Sequence, residues 1–290
     1  MSGWRVAALL MTVSMGAGAC TGFAVYADEA WYGMNFDYPP DYPIRFDAGP
    51  NGAGNGLISM SFYRDMWIPT AGMNGYGIFA TLQYQCPMFE GVDMPDQGEI
   101  FIHQLCILAL GYCSSLSTVE GFIDSLDLVN LPDLTLHALI ADTTGAALIA
   151  ESGDDGDCIT RIDGDWLVMT NFRNADFTET RPENIEGVGA ERYWRALNYI
   201  GDHHEDFSLN DALAALEAAV ETDEIWSTKA SMVYRPSEMA LYFCIDSDFG
   251  HVWKISMNDN MIETYSGFDE PRRLDIGEDG ITSAELRTWL

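Results

Sequence analysis

The stretch CTGFAVYADEAWYGMNFDY, running from Cys20 to Tyr38, decides the fold. Two runs rich in aromatic and β-branched residues, 20–27 and 31–36, flank Asp28-Glu29, so they predict two short strands joined by a turn. What precedes them differs in kind. Arg5 supplies one positive charge, Val6 to Met15 form a short apolar run, and Gly16-Ala17-Gly18-Ala19 places small residues before Cys20. That is the layout of a secretory signal with an Ala-x-Ala cleavage site, and the run is too short to span a bilayer comfortably. The expectation is a cleaved leader over 1–19 and a single domain over 20–290, secreted, periplasmic or held at the cell surface. A buried first helix is the plainer alternative. Cleavage after Ala19 would make Cys20 the first residue. A lipoprotein signal also ends at a cysteine, but it usually carries a leucine-like residue where this chain has Ala17, which favours a free cysteine over a lipidated one.

A chain-terminal cysteine carries a thiol and an amine on one residue. Their ordinary pKa values, about 8.5 and about 7.7–8.0, lie close enough for a proton to pass between them near neutrality. Nucleophile and base are then held in fixed geometry, which suits acyl transfer. Such a site needs an acid to orient the amine, donors for the oxyanion and a cation that favours thiolate.

Working outward, the 290 residues are 48% hydrophobic and 12% aromatic, which excludes disorder and a coiled coil. Fourteen Lys and Arg against 45 Asp and Glu give a formal charge of −31, with Lys229 and Lys254 the only lysines. That field repels phosphate backbones and anionic lipid, so nucleic-acid partners are excluded. The acids are spread along the chain, as on a surface adapted to high salt. No later stretch predicts a membrane span. Six cysteines leave five if Cys20 is catalytic, an odd number that cannot all pair. No C-x-x-C is present, and the adjacent His203 and His204 point to different faces of a helix, so no metal is expected. His137 lies on an expected buried strand, where a satisfied core histidine is the simpler reading. The tail 275–281 resembles a calcium loop only faintly and reads as an acidic turn before a last helix.

Expected strands follow at 57–63, 77–84, 134–141, 146–151, 159–162, 166–171, 231–234, 240–245 and 252–256. Helices are expected over 99–112, 118–128, 190–200 and 209–220, the last capped by Ser208 or Asn210. Residues 38–50, rich in proline and aspartate, read as a loop and 51–56 as a turn. Asp142-Thr143-Thr144-Gly145 joins one hairpin, and Asp163-Gly164-Asp165 is expected to join another. Strands at hairpin spacing with grouped helices predict one α+β domain with antiparallel sheets.

Ordered blocks now carry a resemblance. Cys20-Thr21-Gly22-Phe23 with Gly33-Met34-Asn35-Phe36-Asp37-Tyr38 resembles the opening of the choloylglycine hydrolase and penicillin V acylase family. Gly72-Met73-Asn74-Gly75-Tyr76-Gly77 with Leu82-Gln83-Tyr84, Leu139-Ile140-Ala141-Asp142, Val168-Met169-Thr170-Asn171-Phe172, Glu191-Arg192-Tyr193 and Ser231-Met232-Val233-Tyr234 resemble its later blocks in order. The resemblance implies a four-layer αββα N-terminal nucleophile hydrolase sandwich that cleaves linear, non-peptide amides with no organic cofactor. The substrate classes it allows are small N-acyl compounds: bile-salt conjugates, penicillin V, N-acyl amino acids or lactones. It also implies roles: Cys20 as nucleophile and base, Asp37 holding the α-ammonium, Asn171 and the Tyr84 N–H as oxyanion hole, and Arg192 favouring thiolate. Taken alone, Asp37 is as readily a turn cap, Asn171 a strand-end hydrogen bonder, Tyr84 core packing and Arg192 a surface partner of Glu191 or Glu186.

Two departures stand out. Met34 occupies the place of a family arginine, so the cation is missing or supplied elsewhere, Arg45 being nearest in sequence; alternatively Met34 widens an apolar substrate pocket. The stretch from Asn171 to Arg192 is short beside family members that tetramerise through an insertion there, so an oligomer is not predicted. Two other functions fit: an acyltransferase of the same fold, and a surface lipoprotein with Cys20 acylated that only binds ligands.

Overall fold

The computed structural model describes residues 20–39, 41–153 and 156–290. The leader expected over 1–19 lies outside the described residues.

The chain opens with β1 (Thr21–Tyr26) and β2 (Ala30–Asp37), paired antiparallel about the Asp28-Glu29 turn. Next come β3 (Ile44–Pro50), β4 (Gly56–Arg64), β5 (Met66–Asn74) and β6 (Phe79–Tyr84). A short β7 (Glu99–Phe101) leads into α1 (Ile102–Tyr112) and α2 (Leu116–Ile123), after which β8 (Asp127–Val129) pairs with β7. The hairpin β9 (Leu136–Ala141) and β10 (Ala147–Glu151) precedes β11 (Cys158–Arg161) and β12 (Trp166–Met169). Then follow α3 (Ala190–His203), α4 (Leu209–Ala218), β13 (Thr228–Arg235), β14 (Ala240–Ile245), β15 (Val252–Ser256) and β16 (Met261–Ser266). The chain closes with β17 (Arg273–Asp275), β18 (Ile281–Thr282) and α5 (Ser283–Leu286).

These strands make two antiparallel eight-stranded sheets. The first runs β12-β1-β2-β13-β14-β15-β16-β17 and the second β11-β10-β9-β6-β5-β4-β3-β18. Three apolar clusters show the layering. Tyr32, Met34 and Phe36 of the first sheet meet Phe46, Ile58 and Met60 of the second in the central layer. Leu105, Ala109 and Val119 of α1 and α2 cover the outer face of the second sheet. Ala196, Ile200, Ala212 and Leu216 of α3 and α4 cover the outer face of the first. The result is an αββα sandwich, as expected. It explains why every residue of β2 is buried: alternate side chains face the partner sheet and the helices, so neither face meets solvent. Apolar contact across the central layer includes Phe46 stacked on Phe243, with ring centroids 4.0 Å apart.

Several expectations change. Residues 44–50 are a strand rather than loop, because Ile44, Phe46 and Ala48 alternate into the central layer while the chain pairs with β4. The strand β5 was not expected at all. The helix expected from 99 begins at Ile102, since Glu99–Phe101 pairs with β8, and α2 begins earlier and ends before Asp124. Finally, Asp163-Gly164-Asp165 does not close a hairpin: β11 pairs with β10 in one sheet and β12 with β1 in the other. At that turn the chain crosses between sheets. The capping box at Ser208, with Asp211 bonded back to its N–H at 2.9 Å, starts α4 as expected. Among the described residues, no helix is long and apolar enough to cross a membrane, and all six cysteines are free.

Candidate active site

Sheet register assembles the site. In the β1–β12 ladder Gly22 faces Met169, so continuing the same register past both strand ends sets Asn171 across from Cys20. The Cys20 backbone nitrogen donates to Asn171 Oδ1 at 3.0 Å. In the β1–β2 ladder Thr21 faces Asn35, which leaves Cys20 beside the end of β2, where its Sγ lies 3.9 Å from the Asp37 carbonyl oxygen. The β2–β13 ladder pairs Asp37 with Thr228 and then slips by one residue before Ala230. That bulge re-aims Thr228, whose Oγ1 is 2.5 Å from Asp37 Oδ1.

Arg192, in the first turn of α3, ties these parts together. Its Nη1 donates to the Cys20 carbonyl at 2.6 Å and to Thr21 Oγ1 at 3.2 Å, and its Nη2 donates to Asn171 Oδ1 at 2.7 Å. Asp37 Oδ2 is 3.7 Å from Nη1, and Glu221 Oε2 is 3.4 Å from Nε. The guanidinium is therefore not the surface partner of Glu191 or Glu186; Arg195 takes Glu191 instead. With Asn171 Oδ1 accepting from both Cys20 and Arg192, the amide orientation is fixed, and Nδ2 donates to the Tyr84 carbonyl at 2.8 Å.

The Tyr84 N–H follows from ladder alternation. The Gln85 N–H bonds the Thr135 carbonyl at 2.9 Å, so the next pair, Tyr84 and Leu136, is a non-bonded one. Both backbone groups of Tyr84 thus turn away from β9, toward the side on which Asn171 lies. Cys86 N, donating to the Asn171 carbonyl at 2.6 Å, draws this end of β6 across to the other sheet.

Burial dominates the electrostatics. Asp37 is wholly buried, and desolvation lifts its carboxyl to about 8 against the opposing pull of Arg192 and the Thr228 hydroxyl. Its Oδ2 has no hydrogen-bond partner among the described residues. The Cys20 thiol rises to about 12, first by burial and then by the Asp37 charge, with the Asp37 carbonyl and Arg192 working against both.

Cys20, Asp37, Asn171 and Arg192 therefore converge, with the Tyr84 backbone alongside. Met34 sits one alternation from Phe36 on the inner face, wholly buried, with Thr81 Oγ1 2.7 Å from its sulfur. Arg45 does not serve as the missing cation: it pairs with Asp47 at 2.8 Å and lies over the Trp67 ring at 4.5 Å. His137 bonds buried Glu151 at 3.1 Å. The Nδ1 atoms of His203 and His204 lie 2.8 and 3.0 Å from the Tyr199 and Gly201 carbonyls. Beside Arg192 opens a cavity of about 570 Å³ lined by Gly187 to Gly189, Glu221 and Trp226. Trp226 packs edge-on against Tyr38, which stacks with Tyr84. Sequence reasoning missed Thr228 and Glu221, whose only signal is their place in space.

Neither a protein-family model nor a curated protein matches the sequence. Solved structures do. A mutant conjugated bile acid hydrolase from Clostridium perfringens superposes with a TM-score of 0.62 at 16% identity, over 88% of this chain and 96% of that one. A second variant of that hydrolase gives 0.62 at 17%, over 89% and 98%. Penicillin V acylase from Agrobacterium tumefaciens gives 0.59 at 19%, over 90% and 93%. Those are the two activities named in the family that the sequence blocks resemble, and this chain has the fold of both.

Proposed function

We propose that this protein is a cysteine N-terminal nucleophile amidohydrolase that cleaves linear amides of small N-acyl compounds after removal of residues 1–19. The observation that carries the reading is the convergence on Cys20 of Asn171, Arg192 and the Asp37 carbonyl, beside an Asp37 carboxyl whose buried Oδ2 accepts no hydrogen bond among the described residues. An α-ammonium released at Cys20 would supply the hydrogen bond that Oδ2 lacks, add a second positive charge to that of Arg192 and draw the Asp37 carboxyl back down.

The thiol, kept neutral by burial, does not need to ionise in advance. As sulfur attacks the amide carbonyl, its proton passes to the α-amine. The second hydrogen of Asn171 Nδ2 and the Tyr84 N–H receive the oxyanion. The α-ammonium then gives its proton to the departing amine, leaving an acyl-thioester, and water deacylates it with the amine again as base. Asn171 Oδ1, held by Arg192, positions the amine nitrogen throughout. The reaction draws on no metal or organic cofactor. Bile-salt conjugates, penicillin V and N-acyl amino acids or lactones are the substrate classes this chemistry suits.

Mass spectrometry of the mature N-terminus together with an amide panel tests the proposal. A free N-terminal cysteine and turnover abolished in Cys20→Ala support it. A chain that is active with residues 1–19 attached, or active without the sulfur, refutes it. A lipidated Cys20 points instead to the ligand-binding lipoprotein, and new amide formed from an added amine points to an acyltransferase.

A further inference from the structure

We infer that Thr228 and Glu221 form a clamp that positions the two charged groups of the site, Thr228 holding the Asp37 carboxylate and Glu221 the Arg192 guanidinium; this rests on the amidohydrolase reading. The contacts close a ring. Thr228 N donates to the Glu221 carbonyl at 3.1 Å, and Glu221 N donates to Thr228 Oγ1 at 2.9 Å, pinning the neck of the loop that carries Trp226. Because Oγ1 already accepts from Glu221 N, its own hydrogen is left for Asp37 Oδ1, 2.5 Å away. A donated hydrogen favours the charged carboxylate. Glu221 Oε1 is fixed by the N–H groups of Thr222 and Asp223, at 2.9 and 3.1 Å, and Oε2 then meets Arg192 Nε at 3.4 Å. The ring returns to its start through Arg192 Nη1 and Asp37 Oδ2. The bulge at 228–230 exists at the one place in β13 where it delivers this hydroxyl.

The titratable and charged groups facing Asp37 are Arg192 from α3, Glu221 from the pinned loop and the neutral Cys20 thiol from the head of β1. The two clamp residues act on it with opposite sign: the Thr228 hydroxyl favours its ionised form, and the Glu221 charge opposes it. The test is the pH dependence of kcat/KM on a chromogenic N-acyl anilide. In parallel, the Asp37 carboxyl is titrated by carbon-13 NMR in Cys20→Ala protein, which needs no turnover. Thr228→Val should raise the acid limb by about one pH unit or more, since a hydrogen bond to a charged group is lost. Thr228→Ser should restore it, and Glu221→Gln should lower it. An even loss of rate at every pH, or both variants moving the limb the same way, overturns the clamp. If the NMR titration moves as stated while no amide is cleaved, the clamp stands and the amidohydrolase reading falls. If amide is cleaved and the carboxyl does not respond to Thr228→Val, the clamp falls alone. Should Thr228→Val not fold, Thr228→Ala in its place, read beside Glu221→Gln, decides the matter.

Discussion

Arg192→Met replaces a guanidinium that is 4% exposed with an apolar chain of similar reach. The change removes the donors to the Cys20 carbonyl at 2.6 Å and to Asn171 Oδ1 at 2.7 Å. Asn171 Oδ1 keeps the Cys20 nitrogen, but the Cys20 carbonyl, just outside the β1 ladder, is left buried without that donor. Hydrogen bonds to charged groups contribute about 1.5–3 kcal/mol each, so the pair is worth about 3–5 kcal/mol, allowing for Asn171 retaining one partner. At about 2–4 °C per kcal/mol for a domain of this size class, the melting temperature should fall by about 10 °C. The assay is thermal unfolding followed by circular dichroism at fixed salt and pH, with Arg195→Met as the control. Arg195 is largely exposed and sits 3.9 Å from Glu191, so its loss should shift the midpoint by less than about 2 °C. If the two variants melt together, Arg192 is an ordinary solvated side chain and the architecture argued around it is wrong.

Asn171→Ala should lower kcat by about 10²–10³, the usual loss for one oxyanion donor, in steady-state assays at saturating substrate; a loss below threefold would remove Asn171 from the reaction. Gly189 has φ of +85°, and a Cβ there would meet Asn171 N at 3.0 Å and Thr170 Oγ1 at 2.9 Å. Gly189→Ala should therefore cost about 1–2 kcal/mol in urea unfolding and reduce kcat through Asn171; unchanged turnover would show that this approach does not matter. With a formal charge of −31, the melting temperature should drop as ionic strength goes from about 1 M to about 0.01 M, where screening reaches from about 3 Å to about 30 Å. A flat response would end the idea of a salt-adapted surface.

Much of the architecture was legible wherever one residue type carried the signal. The β1–β2 pair, the 142–145 hairpin turn and the capped start of α4 are local, and local chemistry predicts them. The stretch 38–50 misled because its prolines and aspartates mark turns, whereas Ile44, Phe46 and Ala48 carry a two-residue alternation that only the partner sheet makes decisive. The turn at 163–165 reads as a hairpin because nothing local distinguishes reversing within a sheet from crossing to another. For the site, Cys20, Asp37, Asn171, Arg192 and Tyr84 were named from ordered blocks. Thr228 was invisible because a threonine in a strand is unremarked until a bulge turns its hydroxyl toward a carboxylate. Glu221 was one acid among 45 until its loop closed on Arg192.

The wide sequence separation of the contacts to Cys20 has a temporal consequence. Asn171 lies 151 positions after Cys20 and Arg192 lies 172 after it. A ribosome that has delivered the first half of the polypeptide has delivered a thiol with neither its amide neighbour nor its guanidinium. Non-local pairings of this kind form late. The hydrogen-bonded surroundings of Cys20 are therefore completed only after about two thirds of the polypeptide has been made.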